Sequence, residues 1–95
     1  MLQGELITGF EWDAGNKDKN LQKHGVTNEE CEEVFFDPDK KILRDVLHSE
    51  EEPRSIVLGK TARGRLLFVV LTIRSDNIRI ISARDVNKKE RGLYE

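Results

Sequence analysis

The sequence predicts an α+β domain in which a short N-terminal strand and a helical hairpin pack on a mainly antiparallel four-stranded sheet, with a short helix closing the chain. Three observations support this. The first is the stretch Arg65 to Arg84, RLLFVVLTIRSDNIRIISAR, whose first half is apolar at nearly every position and rich in β-branched residues. Such a run marks a strand buried on both faces near the middle of a sheet. The second is a pair of helix-start signatures, Thr27-Asn28-Glu29-Glu30 and Asn87-Lys88-Lys89-Glu90, each with a hydroxyl or amide three residues ahead of a glutamate. The third is element order: one strand, two helices, then four strands joined by short turns, then a helix.

Taken in order, Phe10-Glu11-Trp12 alternates aromatic and polar as a short edge strand does. Asp13 is placed to cap a helix running to about His24, with Gly25 ending it in a left-handed conformation. That helix is mostly polar and should lie half exposed, with Lys17, Leu21 and His24 on one face. The second helix buries Cys31, Val34 and Phe35 and stops at Asp37-Pro38. Lys40 to Val46 follows as a strand, and Leu47 to Pro53 as a charged loop holding His48. Arg54 to Lys60 is the next strand, and Ala62-Arg63-Gly64 turns into the central one. Ser75-Asp76-Asn77 supplies the hairpin turn. Strict alternation on the return strand puts Arg79, Ile81 and Ala83 on one face and Ile78, Ile80, Ser82 and Arg84 on the other.

A length of 95 residues fits one domain spanning 1–95. The formal charge of −2 hides an asymmetry. Residues 28–53 carry ten acidic and three basic side chains, residues 54–95 ten basic and four acidic. The C-terminal half is therefore suited to a polyanion, and the acidic middle to a basic partner. The single cysteine, Cys31, excludes an intrachain disulfide and thiolate metal spacing, and reads as a small core residue. No basic start leads into an apolar run, and nothing approaches a membrane span, so a soluble cytoplasmic protein is the expectation.

No P-loop, GxGxxG, HExxH or nucleophile elbow is present, which removes the commonest nucleotide, metal and acyl-transfer chemistries. What remains is a set of basic and hydroxyl residues: Lys17, Lys23, His24, His48, Arg54, Arg79, Ser82, Arg84 and Tyr94. Such a set can cleave RNA with no cofactor and no metal. The 2′-hydroxyl attacks its own phosphodiester, so the protein supplies a proton acceptor, a proton donor and cations around the phosphorane. Each residue has a plainer role open to it. Lys23 and His24 suit the carbonyl end of a helix. His48 and Arg54 sit near Glu50, Glu51 and Glu52. Tyr94 is as suited to packing as to reacting. Ser82 and Arg84 share a face that Arg79 reaches only if a bulge intervenes, which favours Arg84 over Arg79.

Five blocks carry a resemblance: FEWDxxxKxxNxxKHGV at 10–26, FFDP at 35–38, HSEEExR at 48–54, RIISAR at 79–84 and KKERGLYE at 88–95. In this order and spacing they resemble the BrnT toxin family. The resemblance implies a bacterial type II toxin with a compact α+β fold, similar to RelE-type ribonucleases, that inhibits growth by cleaving RNA. It implies neutralisation by a BrnA antitoxin bearing a ribbon-helix-helix part, which binds DNA and brings the complex to its own operator. It singles out Lys23, His24, His48, Arg54, Arg79, Ser82 and Arg84, with Tyr94 in the last block. Asn16 stands where the family usually has a lysine, and Pro53 where a non-proline is usual. The competing reading is a module that uses the same basic surface to bind nucleic acid or protein without turnover.

Overall fold

The computed structural model describes residues 9–45 and 52–95. Its centre is the expected hairpin: β4 (Leu66–Arg74) and β5 (Asn77–Asp85) joined by Ser75 and Asp76, both at positive φ. Two consecutive left-handed residues give the tight turn whose twist matches that of the flanking strands. β3 (Arg54–Lys60) pairs antiparallel with β4, and β2 (Lys41–Asp45) antiparallel with β3. The sheet differs from expectation at its other edge. β1 (Gly9–Glu11) is a fifth strand, parallel to β5, so the sheet is mixed with order β1-β5-β4-β3-β2. Phe10 accounts for that docking, standing beside Ile78 in register and meeting the Phe35 ring edge-on at 5.4 Å between centroids.

One face of the sheet is covered by the helical layer. α2 (Asn28–Glu33) begins at the expected capping box, Thr27 Oγ1 accepting from Glu30 N at 3.1 Å and Glu30 Oε1 from Thr27 N at 3.0 Å. It runs into a 3-10 turn at Val34–Phe36. Val26, Cys31, Val34 and Phe35 form one buried cluster with Val57, Leu67, Val69, Leu71, Ile78, Ile80 and Ala83. Gly59 admits this turn to the sheet, because a Cβ there would sit 2.8 Å from the Val34 carbonyl oxygen. α3 (Lys88–Tyr94) starts at the second capping box and packs on β3 from the opposite face. No described helix is long and apolar enough to cross a membrane.

The first helix is shorter than expected. α1 covers only Lys19–His24, and residues 13–18 form turns instead of its first turns. Asp13 does not cap it: its carboxylate binds Gly15 N at 2.7 Å and the Arg79 guanidinium. Asn16, 4% exposed, pulls this loop inward. Its Nδ2 donates to the carbonyls of Glu11 at 2.9 Å and Ile80 at 3.1 Å, and its Oδ1 accepts from Asp13 N at 2.8 Å. A turn further on, Asn20 Oδ1 accepts from Ala83 N at 3.0 Å. β1 ends opposite Arg79, so these asparagines satisfy the edge of β5 that no strand covers.

Between those two edge bonds lies a β-bulge. Val70 pairs with Ser82 but Leu71 pairs with Ile80, leaving Ile81 as the extra residue. Ile78, Ile80 and Ala83 consequently all face the helical layer. Asn16→Ala removes three hydrogen bonds and leaves the Ile80 carbonyl without that partner, so it should cost about 2–3 kcal/mol of unfolding free energy. Urea denaturation of the wild type and the variant measures this; equal midpoints would show that Asn16 does not hold the bulge.

Candidate nucleic-acid face of the sheet

The bulge corrects the alternation expected for β5. Arg79, Ser82 and Arg84 stand opposite Thr72, Val70 and Phe68, alternate residues of one β4 face. All three therefore project from the face away from the α1–α2 layer, whereas strict alternation separates Arg79 from the other two. Arg54 joins this face from β3, paired in register with Asp45. A groove of about 440 Å³ opens beside it, lined by Ile42, Leu43, Arg44, Pro53, Arg54 and Ser55.

The guanidinium groups here are held by carboxylates. Arg79 Nη1 donates to Glu11 Oε1 at 2.9 Å and Asp13 Oδ2 at 2.8 Å, and its side chain is 14% exposed. Arg74 forks onto Glu52 at 2.8 and 3.2 Å. Arg84 makes two parallel bonds to Glu90, both 2.8 Å, while its guanidinium carbon lies 4.2 Å from the Phe68 ring centroid. Stacking on the ring and a bidentate fork together fix the plane of the group.

Lys23 and His24 lie elsewhere, but not remotely. α1 runs along the β5 edge left free by β1, and both side chains are exposed in its last turn. The His24 carbonyl accepts from Arg65 Nη2 at 3.3 Å, and the same guanidinium grips Asp85 at 2.7 and 3.0 Å. His24 thus stands at the sheet edge near Asp85, one residue from Arg84 but on an element flanking the strand, not on its open face. Arg65 also reaches Gly25 O at 2.9 Å and Glu30 at 3.3 Å, tying α1, α2 and β5 together. His48 lies outside the described residues.

Tyr94 borders the face from α3. Its Oη donates to Asp37 at 2.6 Å, and Lys60 Nζ sits 5.5 Å from its ring centroid. Burial, then the Asp37 carboxylate that accepts its proton, push the phenol up to about 12. Burial likewise pushes the Cys31 thiol up to about 12, so it stays protonated, as its core position requires. Four of the expected residues, Arg54, Arg79, Ser82 and Arg84, thus share one face and Tyr94 borders it, whereas Lys23 and His24 stand at the β5 edge beside Asp85, which pairs with Leu67 on the side of the helical layer. Sequence reasoning missed Phe68, the stacking platform of Arg84, and Glu90, which was visible only as a capping residue. The signal for Glu90 is its place six residues after an arginine, across the tight connection into α3.

These pairs make the fold sensitive to acid. The hydrogen bonds from Arg79, Arg74, Arg65 and Arg84 respectively hold the carboxyls of Asp13, Glu52, Asp85 and Glu90 below their ordinary values. Depressed folded-state values mean that the unfolded chain binds more protons, so stability rises with pH through this window. The contribution is complete above the ordinary carboxylate range and disappears as pH falls through the lowered values. Thermal melts should be flat above about pH 5 and shift to lower temperature below about pH 4. An unchanged melting temperature down to pH 3 would show that the forks do not form in solution.

Residues 12–90 match the family described as the ribonuclease toxin, BrnT, of type II toxin-antitoxin systems. No curated protein matched the sequence.

Proposed function

Because the chain belongs to the BrnT family of ribonuclease toxins of type II toxin-antitoxin systems, we propose that it is a metal-independent, RelE-like RNA endonuclease working on the Phe68 face of its sheet. The observation that supports this most directly is the bulge, which sets Arg79, Ser82 and Arg84 side by side on rigid backbone with Arg54 across β4. Arginine stays charged at any relevant pH, and its planar fork matches two phosphate oxygens.

In this scheme Arg84, with Arg54 or Arg79, holds the scissile phosphate while the 2′-hydroxyl attacks it. His24 at the strand edge, or His48, removes the hydroxyl proton and returns one to the departing 5′-oxygen. Lys23 stabilises charge on the phosphorane, and Ser82 offers a hydroxyl to a phosphate oxygen. Tyr94, its proton committed to Asp37, acts as an anchor for α3. The products are a 2′,3′-cyclic phosphate and a 5′-hydroxyl, and no step calls for a metal. The 95 residues act as one domain in the cytoplasm, where cleavage arrests growth. The neutralising partner is a BrnA-type antitoxin with a ribbon-helix-helix part, and operator DNA is bound only through that complex.

A second reading follows from the carboxylate on Arg74, Arg79 and Arg84: a surface that docks nucleic acid or protein and turns nothing over. Inducing the wild type, His24→Ala, His48→Ala and Arg84→Ala, with RNA integrity and growth followed together, separates the two. The endonuclease reading expects RNA breakdown by the wild type, undiminished in EDTA when the purified protein is assayed. Arg84→Ala should lose about 100-fold or more in rate, the scale of removing one preorganised charge-stabilising donor. Intact RNA beside arrested growth supports the docking module instead, and equal activity of all four proteins removes these residues from the site.

A further inference from the structure

We propose that Glu90 holds Arg84 as an internal substitute for an RNA phosphate, so that RNA engages this face only by displacing α3. The inference rests on the reading of Arg84 as a phosphate contact and adds how that contact is regulated. The two 2.8 Å bonds from Nη1 and Nη2 to Oε1 and Oε2 are the same fork that a phosphodiester's two free oxygens would take. Nη1 also donates to the Asp85 carbonyl at 3.1 Å, and one face of the group is stacked on Phe68. With the fork engaged, the outer edge of the guanidinium is spent on Glu90.

The three other arginine pairs differ in what carries the carboxylate. Glu11 lies on the strand beside Arg79, and Asp13 in the loop that Asn16 anchors. Asp85 and Glu30, which grip Arg65, belong to β5 and α2. Glu52 lies just before β3. Glu90 alone among these sits on a helix of seven residues, none of them buried, with Leu93 60% exposed. Besides the Arg84 fork, α3 meets the body through the Tyr94–Asp37 hydrogen bond and the Lys60–Tyr94 ring contact. Glu90 and Tyr94 are four residues apart and so share one helical face, which both pairs hold to the sheet. α3 also lies against the outer face of β3, where Leu58 is fully buried and neighbouring Leu66 is 5% exposed, so opening has a cost that an arriving phosphodiester must offset.

The capping geometry supplies a clean variant, because glutamine serves at that position as well as glutamate. Glu90→Gln keeps the cap and removes the charge. The probe is a fluorescein-labelled 2′-O-methyl RNA oligonucleotide, which binds but has no free 2′-hydroxyl to attack, with affinity read by anisotropy at low salt. Glu90→Gln should bind about fivefold to tenfold tighter than the wild type, and Tyr94→Phe should gain less in the same direction. Arg84→Ala should bind weaker, and adding Glu90→Gln to it should restore nothing.

Glu90→Gln binding no tighter than the wild type, while Arg84→Ala weakens binding, overturns the proposal and leaves Arg84 as a phosphate contact that Glu90 merely positions. A gain that persists in the Arg84→Ala background also overturns it, because removal of one negative charge would then be the whole effect. No loss on Arg84→Ala overturns both this proposal and the role of Arg84 in RNA binding. If Glu90→Gln melts early, Tyr94→Phe carries the same comparison: unchanged or weaker binding by it counts against displacement.

Discussion

One unpaired residue, Ile81, decides what this sheet presents to solvent. Without it, the β5 run from Ile78 to Arg84 would send Arg79 into the helical layer or Ala83 out of it. With it, three apolar side chains stay inside and three polar ones stay outside. The bulge persists because both flanking edge groups are satisfied: the Ile80 carbonyl by Asn16 and the Ala83 amide by Asn20. A strand in place of α1 would demand regular register there. A turn and a helix, each offering one amide side chain, tolerate the irregularity, which explains why β1 stops at Glu11 and the Asn16 turn and α1 take over the edge.

The arginine pairs serve organisation more than stability. Exposed ion pairs are screened by solvent and contribute little, so the pairs at Arg74, Arg79 and Arg84 cannot be what keeps the chain folded. That falls to the cluster from Val26 to Ala83, where truncating a buried leucine or isoleucine such as Leu67, Leu71 or Ile80 costs about 2–5 kcal/mol. Arg65 is the exception in kind. It binds two carbonyls and two carboxylates on three elements, and so fixes where the end of α1, and His24 with it, stands relative to β5. The remaining forks hold side chains in defined planes, and a surface of fixed cations is what recognition of a phosphodiester requires.

Much of this was legible in the sequence, for identifiable reasons. Both capping boxes, the Gly25 stop at φ +66°, the Cys31–Val34–Phe35 stripe and the central hairpin are local signals, and each appears where its residues predict. The failures involve partners distant in sequence. Asp13 looks like a helix cap until Arg79, 66 positions away, claims its carboxylate. Asn16 looks like a surface polar residue until it meets Ile80. The parity of β5 changes with one inserted residue, which leaves no mark in a run as uniformly β-forming as IRIISAR. An edge strand at Phe10-Glu11-Trp12 is readable, but its parallel pairing with β5 is not, because three residues, GFE, carry too little pattern to reveal which neighbour they join.

The two charge runs noticed in the sequence acquire a spatial meaning in this fold. From Asn28 to Asp39 there are six acidic residues and no basic one, and this stretch forms the α2 layer and its 3-10 turn. The arginines at 54, 74, 79 and 84 stand on the opposite face. The acidic run thus lies on one side of the sheet, while on the other the arginines stand among Glu11, Asp13, Asp45, Glu52 and Glu90, so any attraction of a polyanion is local to each guanidinium. Each carboxylate set against an arginine on the strand side weakens that attraction at long range without altering the geometry at contact. An approaching phosphate must then compete for a guanidinium that is already oriented, which makes the face more selective for ligands able to match the fork than for negative charge in general.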